Sequence, residues 1–340
     1  MNTYTGSVSV LIAAYNASGT IRQAVASALA EPEVKECIVI DDASGDRTID
    51  EARIGADGSP RLKILSLKEN KGPAFARNLA LDVCQGAYVC VLDADDFFIR
   101  GRLRRLLSQI GDADFVADDI LIVPEAKATA TNIQEHQGFF EQRQEQRHVL
   151  DLAAFVSGNI PDPRRPRAEL GFLKPLIRRS FLIEHNLRYD EQLRLGEDYA
   201  LYVEALRAGA RFHIVGPCGY VAVERTSSIS SHHSSADLQR LVEFDAKCLA
   251  AAKLTSAERA ALEMHQAVTR KKADYGRALE LRAKNGVMAG ILFSCSRASS
   301  VPYMIAETWR AKLRAAAQHL NVRRPDLERQ IRYLVGAGTS

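Results

Sequence analysis

The chain has 340 residues, 46% hydrophobic and 26% charged, with 45 Lys+Arg against 42 Asp+Glu and a formal charge of +3. Near-neutrality excludes a general polyanion-coating protein, whose domain would be basic throughout, so no nucleic-acid partner is expected. Ordinary globular composition excludes disordered, collagen-like and disulfide-scaffold chains, and at roughly 100–200 residues per domain the length predicts two domains or one large domain with an appendage.

Val8–Ala14 is a nearly continuous apolar run, the pattern of a strand covered on both faces. From Thr20 to Leu29, Ile21, Val25 and Leu29 recur every four residues, a helical stripe. Cys37–Ile40 and Arg61–Leu67 read as two further strands, with a helix over Asp46–Ile54 between them. Pro73 suits the first position of the helix Ala74–Val83, where its missing N–H has no partner to lose. Ala87–Leu92 makes a fourth strand, and Leu103, Leu106, Leu107 and Ile110 stripe the helix after it. Strands alternating with helices predict an α/β domain built on a parallel sheet with helices on both faces.

Glu125–Arg147, rich in Gln, Glu and Arg, reads as a long polar excursion or a solvated helix. Patterning resumes over Leu170–Ile177, Arg179–His185, Glu197–Ala208 and Phe212–Val223. From about Ala236 helix follows helix, with a small loop at Ser294–Ser300 and Pro302 opening one more helix. The boundaries expected are a catalytic domain over 1–235, with halves at about 1–122 and 148–235, and a helical region over 236–340. There is no internal repeat. No apolar run reaches the roughly 18–20 residues of a spanning helix. The uncharged opening Met1–Ile21 lacks the basic start of a signal peptide, so a cytoplasmic protein is expected. The six cysteines show no CxxC spacing, and Cys37 and Cys90 lie in strand-like runs, which predicts buried free thiols.

In open α/β sheets ligands bind beyond the carboxyl ends of the strands. The first strand ends in Ala13-Ala14-Tyr15-Asn16, the second in Asp41-Asp42-Ala43-Ser44-Gly45-Asp46 and the fourth in Asp93-Ala94-Asp95-Asp96. Acidic residues at buried strand tips are costly unless paired, hydrated or bound to a cation. GxGxxG and GxxxxGK[ST] loops are both absent, so a phosphate-bearing ligand must be neutralised otherwise. A divalent cation held by one or two carboxylates plus the ligand's own phosphates is the usual alternative, and Asp93-Ala94-Asp95 fits it.

These segments, with Asn70-Lys71-Gly72-Pro73, Ala76-Arg77-Asn78 and Gly196-Glu197-Asp198, resemble family 2 glycosyltransferases with the GT-A fold over about residues 7–225. Within that family the chain is most similar to bacterial exopolysaccharide glucosyltransferases of the succinoglycan type. The resemblance implies a Rossmann-like, mostly parallel sheet flanked by helices, with a helical C-terminal extension. It implies an inverting, metal-dependent enzyme moving a sugar, glucose from UDP-glucose, onto a saccharide acceptor carried on lipid. Ala13 and Tyr15 would meet the base, by backbone and by stacking. Asp42, or its neighbour Asp41, would accept from the uracil N3–H, and Lys71 or Arg77 would meet base or phosphates. Asp93 would hold ribose or sugar hydroxyls, Asp95 would bind Mn²⁺ or Mg²⁺, and Asp96 would stand behind it. Asp198 of the Glu-Asp pair would be the catalytic base taking the acceptor hydroxyl's proton, with Glu197 positioning the loop or touching a sugar. Arg225 would touch the diphosphate, and one of His232 and His233 would complete the metal shell.

Plainer roles stay open for the same residues. Asp42 and Ser44 can cap the following helix, Tyr15 can be a core aromatic, and Lys71, Arg77 and Arg225 can be solvated surface charges. Asn78 suits a structural hydrogen bonder, Glu197-Asp198 simple charge complementarity at a helix start, and the two histidines a polar loop. From Arg297 onward eight basic and three acidic residues give a local +5 beside Tyr303, Trp309 and Leu313. That suits either an anionic lipid surface or a helical cap packed on the catalytic domain or a second subunit. A nucleotidyltransferase and a catalytically inactive nucleotide-sugar-binding or glycan-binding module are the competing functions.

Overall fold

The computed structural model describes residues 7–128, 147–161, 169–225, 234–251, 253–319 and 332–335. Its first half follows the expected alternation: β1 (Val8–Ala14), α1 (Ile21–Leu29), β2 (Val34–Asp41), α2 (Thr48–Ala56), β3 (Leu62–Ser66), α3 (Pro73–Val83) and β4 (Tyr88–Val91). Val8, Val10 and Ile12 of β1 and Cys37–Ile40 of β2 are fully buried, because helices cover both faces of these strands. Pro73 opens α3 directly after Gly72, whose φ of 90° only glycine adopts without strain. Asp57, in a left-handed conformation, ends α2.

After β4 come β5 (Phe97–Phe98), α4 (Arg102–Gln109), β6 (Phe115–Asp118), β7 (Leu121–Pro124), β8 (His148–Leu150), α5 (Leu152–Ser157) and β9 (Leu176–Arg178). The unit closes with α6 (Arg179–Glu184), α7 (Glu197–Arg207), β10 (Phe212–Val215), β11 (Tyr220–Glu224) and the late strand β12 (Arg332–Tyr333). Eight strands form one sheet in the order β3-β2-β1-β4-β9-β6-β10-β8. Only β9 and β8 run against their neighbours, so the sheet is mostly parallel, a GT-A-like α/β arrangement.

The stretch Phe212–Val223, expected as one run, is two strands in two sheets. A second sheet runs β12-β7-β11-β5 over a core of Phe97, Ile99, Leu121, Val123, Val221 and Val223. The chain therefore leaves the large sheet three times, after β4, after β6 and after β10. Asp118 secures the last two exits: its carboxylate accepts from Arg102 and from the backbone N–H groups of Cys218 and Tyr220. Arg102 is fully buried between the rings of Phe98 and Tyr220, at 4.6 and 5.0 Å. A buried charge of this kind is tolerable only when paired and fully hydrogen-bonded.

The chain divides into two compact units, Met1–Thr226 with Ile331–Ser340, and Ser227–Gln330. β12, from the stretch expected to be helical, is a strand of the first unit, where it pairs with β7. The second unit is helical: α8 (Ser235–Ala250), α9 (Ser256–Asn285), α10 (Val287–Cys295) and α11 (Val301–His319). Capping boxes of Ser234 with Asp237 and Thr255 with Glu258 start α8 and α9. The two helices run antiparallel, joined at one end by Asp245 and His265 (2.7 Å) and at the other by Ser235 and Glu280 (2.7 Å). Ser294, expected in a loop, lies in α10, and the turn Ala298–Ser300 is 3₁₀. All six cysteines are free, five of them buried and Cys295 exposed. Among the described residues no helix is long and apolar enough to cross a membrane.

Candidate active site

The loops beyond β1 and β2 lock together through short polar side chains. Asn16, at φ 48°, takes a hydrogen bond from Gly45 N on its Oδ1 (2.8 Å), and its own backbone N–H donates to Ser44 Oγ (2.9 Å). Ala17 N donates to Thr48 Oγ1 and Ser18 N to Asp46. Ser44 thus ties the two loops and does not cap α2, whose N-cap is Arg47. Ala13 is half-buried at the end of β1 beside Ile40, and Tyr15 stands 45% exposed just beyond it, so its ring is no core aromatic.

Asp42 is buried, and its two oxygens accept the backbone N–H groups of Lys71 (2.7 Å) and Gly72 (2.8 Å). The carboxylate clamps the loop that launches α3, and each oxygen keeps a second lone pair. Asp41 is equally buried, with Oδ1 unpartnered among the described residues. The Lys71 ammonium sits over the Phe75 ring (4.7 Å) and near Glu69 (3.5 Å), apart from the acidic strand tips.

Arg77, on α3, is buried at the centre of the acidic groups rather than solvated. It reaches Glu197 (2.6 Å), Asp93 (2.9 Å) and Asp198 (3.3 Å), and lies over the Tyr189 ring at 5.5 Å. Opposite it stands Lys174, 5% exposed, bonded to Asp198 Oδ2 (2.7 Å) and Asp93 Oδ2 (3.1 Å). Asp93 and Asp198, 105 positions apart in sequence, thus share both cations in a closed four-membered ring. Burial pulls the Asp93 carboxyl upward, but Lys174 and Arg77 outweigh it and hold the group below the ordinary carboxylate value. Burial likewise works against the charge of Lys174, and Asp198 and Asp93 hold its ammonium above the usual value.

Several buried contacts aim these side chains. Lys174's backbone carbonyl accepts from Arg102 (2.6 Å), and that of Leu173 accepts from the Tyr202 hydroxyl (2.9 Å). Gly196, at φ 75°, turns the chain into α7 so that Glu197 and Asp198 fall in its first turn. Asn78 bonds both backbone groups of Tyr189 and the Glu191 carboxylate, a structural role. Tyr220 closes the far side, its hydroxyl donating to Asp96 (2.8 Å) and accepting from Asp93 N (3.2 Å). A cleft of about 80 Å³ opens there, walled by Asp93, Lys174, Tyr220, Phe172 and Leu334.

Asp96 is buried and accepts from Val223 N and Tyr220; burial and the charges of Asp95 and Asp93 push its carboxyl well above the ordinary value. Asp95 is pushed upward by burial and by Asp93, and its side chain is 46% exposed. Arg225 donates to its backbone carbonyl (2.7 Å), approaches one carboxylate oxygen (3.3 Å), and also reaches Glu125 (3.2 Å). Asp93 and Asp96 have both oxygens committed, which leaves Asp95 as the carboxylate of this run open toward a ligand. Among the described residues no three His, Cys, Asp or Glu side chains form a metal cage. The donor set therefore suits a Mg²⁺- or Mn²⁺-type cation completed by ligand phosphates, and does not suit an all-protein site. His232 and His233 lie outside the described residues, as does most of the polar stretch after Glu125.

Arg77, Asp93 and the distant Glu197-Asp198 pair meet in one cluster, with Asp95 and Arg225 paired beside it. Ala13, Tyr15 and Asp42 line the neighbouring strand ends, and Lys71 joins them only through its backbone. Lys174 and Tyr220 are the members that motifs miss. A lysine inside Leu173-Lys174-Pro175-Leu176-Ile177, just before a buried strand, is the signal for the first, since a buried lysine requires acidic partners.

A family model described as "Glycosyl transferase family 2" matches residues 9–160. The succinoglycan biosynthesis protein ExoU of Rhizobium meliloti is 44% identical over 298 residues, covering 88% of this chain and 85% of that protein. The UDP-Glc:alpha-D-GlcNAc-diphosphoundecaprenol beta-1,3-glucosyltransferase WfaP of Escherichia coli is 39% identical over 99 residues, 28% of this chain and 38% of its own. Among solved structures, S. aureus TarS 1-349 in complex with UDP-GlcNAc superposes with a TM-score of 0.63. At 18% identity it covers 98% of this chain and 97% of that one.

Proposed function

The chain belongs to glycosyltransferase family 2, and from that premise we propose that it is an inverting, metal-dependent glucosyltransferase acting from UDP-glucose in exopolysaccharide assembly. Its acceptor would be a saccharide carried on lipid, met at the cytoplasmic face of the plasma membrane, where peripheral attachment through the C-terminal helices would be of use. The observation that carries the reading is the ring of Arg77, Asp93, Lys174 and Asp198. It sets one carboxylate of a helix's first turn against a strand-end carboxylate, with the two cations fixing their distance and orientation.

In this reading Tyr15 stacks on the uracil, Ala13 meets it through backbone, and Asp42 accepts from its N3–H while holding the Lys71-Gly72 loop. Asp93 orients ribose or sugar hydroxyls, Glu197 keeps Arg77 in place, and Arg225 turns from Asp95 to the diphosphate. Asp95 would hold Mn²⁺ or Mg²⁺, which when bound supplies a Lewis acid for charge gathering on the leaving diphosphate. Asp198 takes the proton of the acceptor hydroxyl as its oxygen bonds to the anomeric carbon from the face opposite the nucleotide. The bond from that carbon to the diphosphate breaks, UDP leaves with the electron pair, and the proton passes from Asp198 to solvent. An α-linked donor then gives a β-glycoside.

Family membership sets the nucleotidyltransferase reading aside. The purified chain should be screened by thermal shift against UDP-, GDP- and TDP-sugars with Mn²⁺, then assayed for transfer with lipid-linked saccharides. Stabilisation by UDP-glucose and a β-linked product support the proposal. Tight donor binding with neither hydrolysis nor transfer would instead support an inactive binding module, and a preference for a GDP-sugar would overturn the donor assignment.

A further inference from the structure

We propose that α10 and α11 of the second unit dock on the surface of an anionic lipid bilayer. Residues 285–296 carry no charge, and α10 lies within them. Only Gly290 of this helix is buried; it is seated against α9, where any side chain would meet the Ala278 carbonyl oxygen at 2.9 Å. Val287, Met288, Ile291 and Leu292, at helical spacing along α10, are 49–66% exposed. On neighbouring α11, Met304 points inward while Ile305, Trp309 and Leu313 recur every four residues, 55–65% exposed. Folded proteins seldom leave this much apolar surface open to water without a partner.

The surrounding charge identifies the partner. Arg282, Lys284, Arg297, Arg310 and Lys312 are exposed around these stripes, and Glu307, paired with Arg310, is the one acid from 281 to 313. Lys312 lies over the Trp309 ring and Arg297 over the Phe293 ring, each at 5.5 Å, although Arg297 also reaches Asp274 at 3.8 Å. Exposed cationic heads folded over apolar rings are the arrangement of an interfacial anchor. A nine-residue helix is about 13 Å long against a hydrocarbon core of about 30 Å, so α10 lies in the interface and does not cross it. A two-fold dimer would place this patch against itself, and five cations would face their own copies with a single acid to offset them.

The proposal builds on the peripheral attachment included in the proposed function, but none of these residues belongs to the carboxylate–cation cluster, so it can fail while the sugar-transfer reading stands. Trp309 is the chain's only tryptophan and reports on the surface directly. The full chain should be titrated with phosphatidylglycerol vesicles and with phosphatidylcholine vesicles, following tryptophan emission and sedimentation. The expected result is a blue shift with quenching by brominated lipid on phosphatidylglycerol only, weakened by salt. Ile291→Asp combined with Leu292→Asp should lower partitioning about tenfold or more without changing the melting of the protein. Should that variant misfold, the emission of the unaltered chain decides. Unchanged emission with phosphatidylglycerol, or partitioning unmoved in the folded variant, overturns the proposal. So does a dimer that dissociates on the substitution while vesicle binding stays the same, which assigns the face to a second copy.

Discussion

Replacing Lys174 with methionine tests the cluster most sharply, because methionine keeps the volume of the stem and removes only the charge. The ammonium is buried against Asp198 at 2.7 Å and Asp93 at 3.1 Å, so its loss strips one oxygen of each carboxylate of its partner. Removing one member of a buried ion pair costs about 3–5 kcal/mol, because the remaining charge stays buried and uncompensated. At roughly 2–4 °C per kcal/mol for a unit of this size, Lys174→Met should lower the melting temperature by about 6–20 °C. Arg77 still touches both carboxylates, so the fold survives. Adding Asp198→Asn should recover part of the loss, a coupling of about 1–3 kcal/mol in a double-mutant cycle read by thermal and urea unfolding. A Lys174→Met protein within about 1 kcal/mol of the parent, or strictly additive substitutions, would refute the reasoning that the ring is a mutually dependent unit.

Three further outcomes follow from other contacts. Asp42→Ala removes two hydrogen bonds from backbone N–H groups to a buried carboxylate, each worth about 1.5–3 kcal/mol. It should loosen the 70–72 loop, with faster hydrogen exchange at Lys71 and Gly72 and weaker donor binding by calorimetry; unaltered exchange would contradict the clamp. EDTA should stop turnover and Mn²⁺ or Mg²⁺ restore it, and Asp95→Asn should raise the metal concentration needed; chelator-insensitive transfer counts against Asp95. His213 accepts from Arg147 on Nδ1 at 2.8 Å, and burial first, then the charge of Arg147, holds its imidazole below the usual value. Because the folded value is the lower one, the neutral ring contributes stability above the ordinary value of about 6.5, lost as pH falls through the folded value. An NMR midpoint at or above 6.5 would contradict this.

Much of the first unit was legible because long, doubly covered strands leave continuous apolar runs, as in Val8–Ala14 and Cys37–Ile40. The second sheet was not, since β5 and β12 have two residues each and β7 four, too few for any period to register. Pairings such as β12 with β7 depend on positions about 210 residues apart, which no local pattern encodes. In the candidate site, Asp93 and Asp198 could be named because each ends or begins an element at a motif. The companions that hold them were hidden for the opposite reason. Lys174 looks like an interruption of an apolar run, and Tyr220 like an ordinary strand aromatic, until the fold brings acids to both. Arg77 looked equally suited to a surface, and only the meeting of α3 with the first turn of α7 buries it.

The role of Asp198 as base is most directly tested by Asp198→Asn, which keeps the side-chain shape and one acceptor oxygen for Arg77 or Lys174 while removing the charge and the proton acceptance. The measurement is single-turnover transfer from UDP-glucose to a lipid-linked saccharide, beside calorimetric donor binding by the same protein. The predicted result is donor affinity within a few-fold of the parent and transfer reduced by about 10²–10⁴. Turnover near the parent rate by a correctly folded Asp198→Asn enzyme would contradict the account.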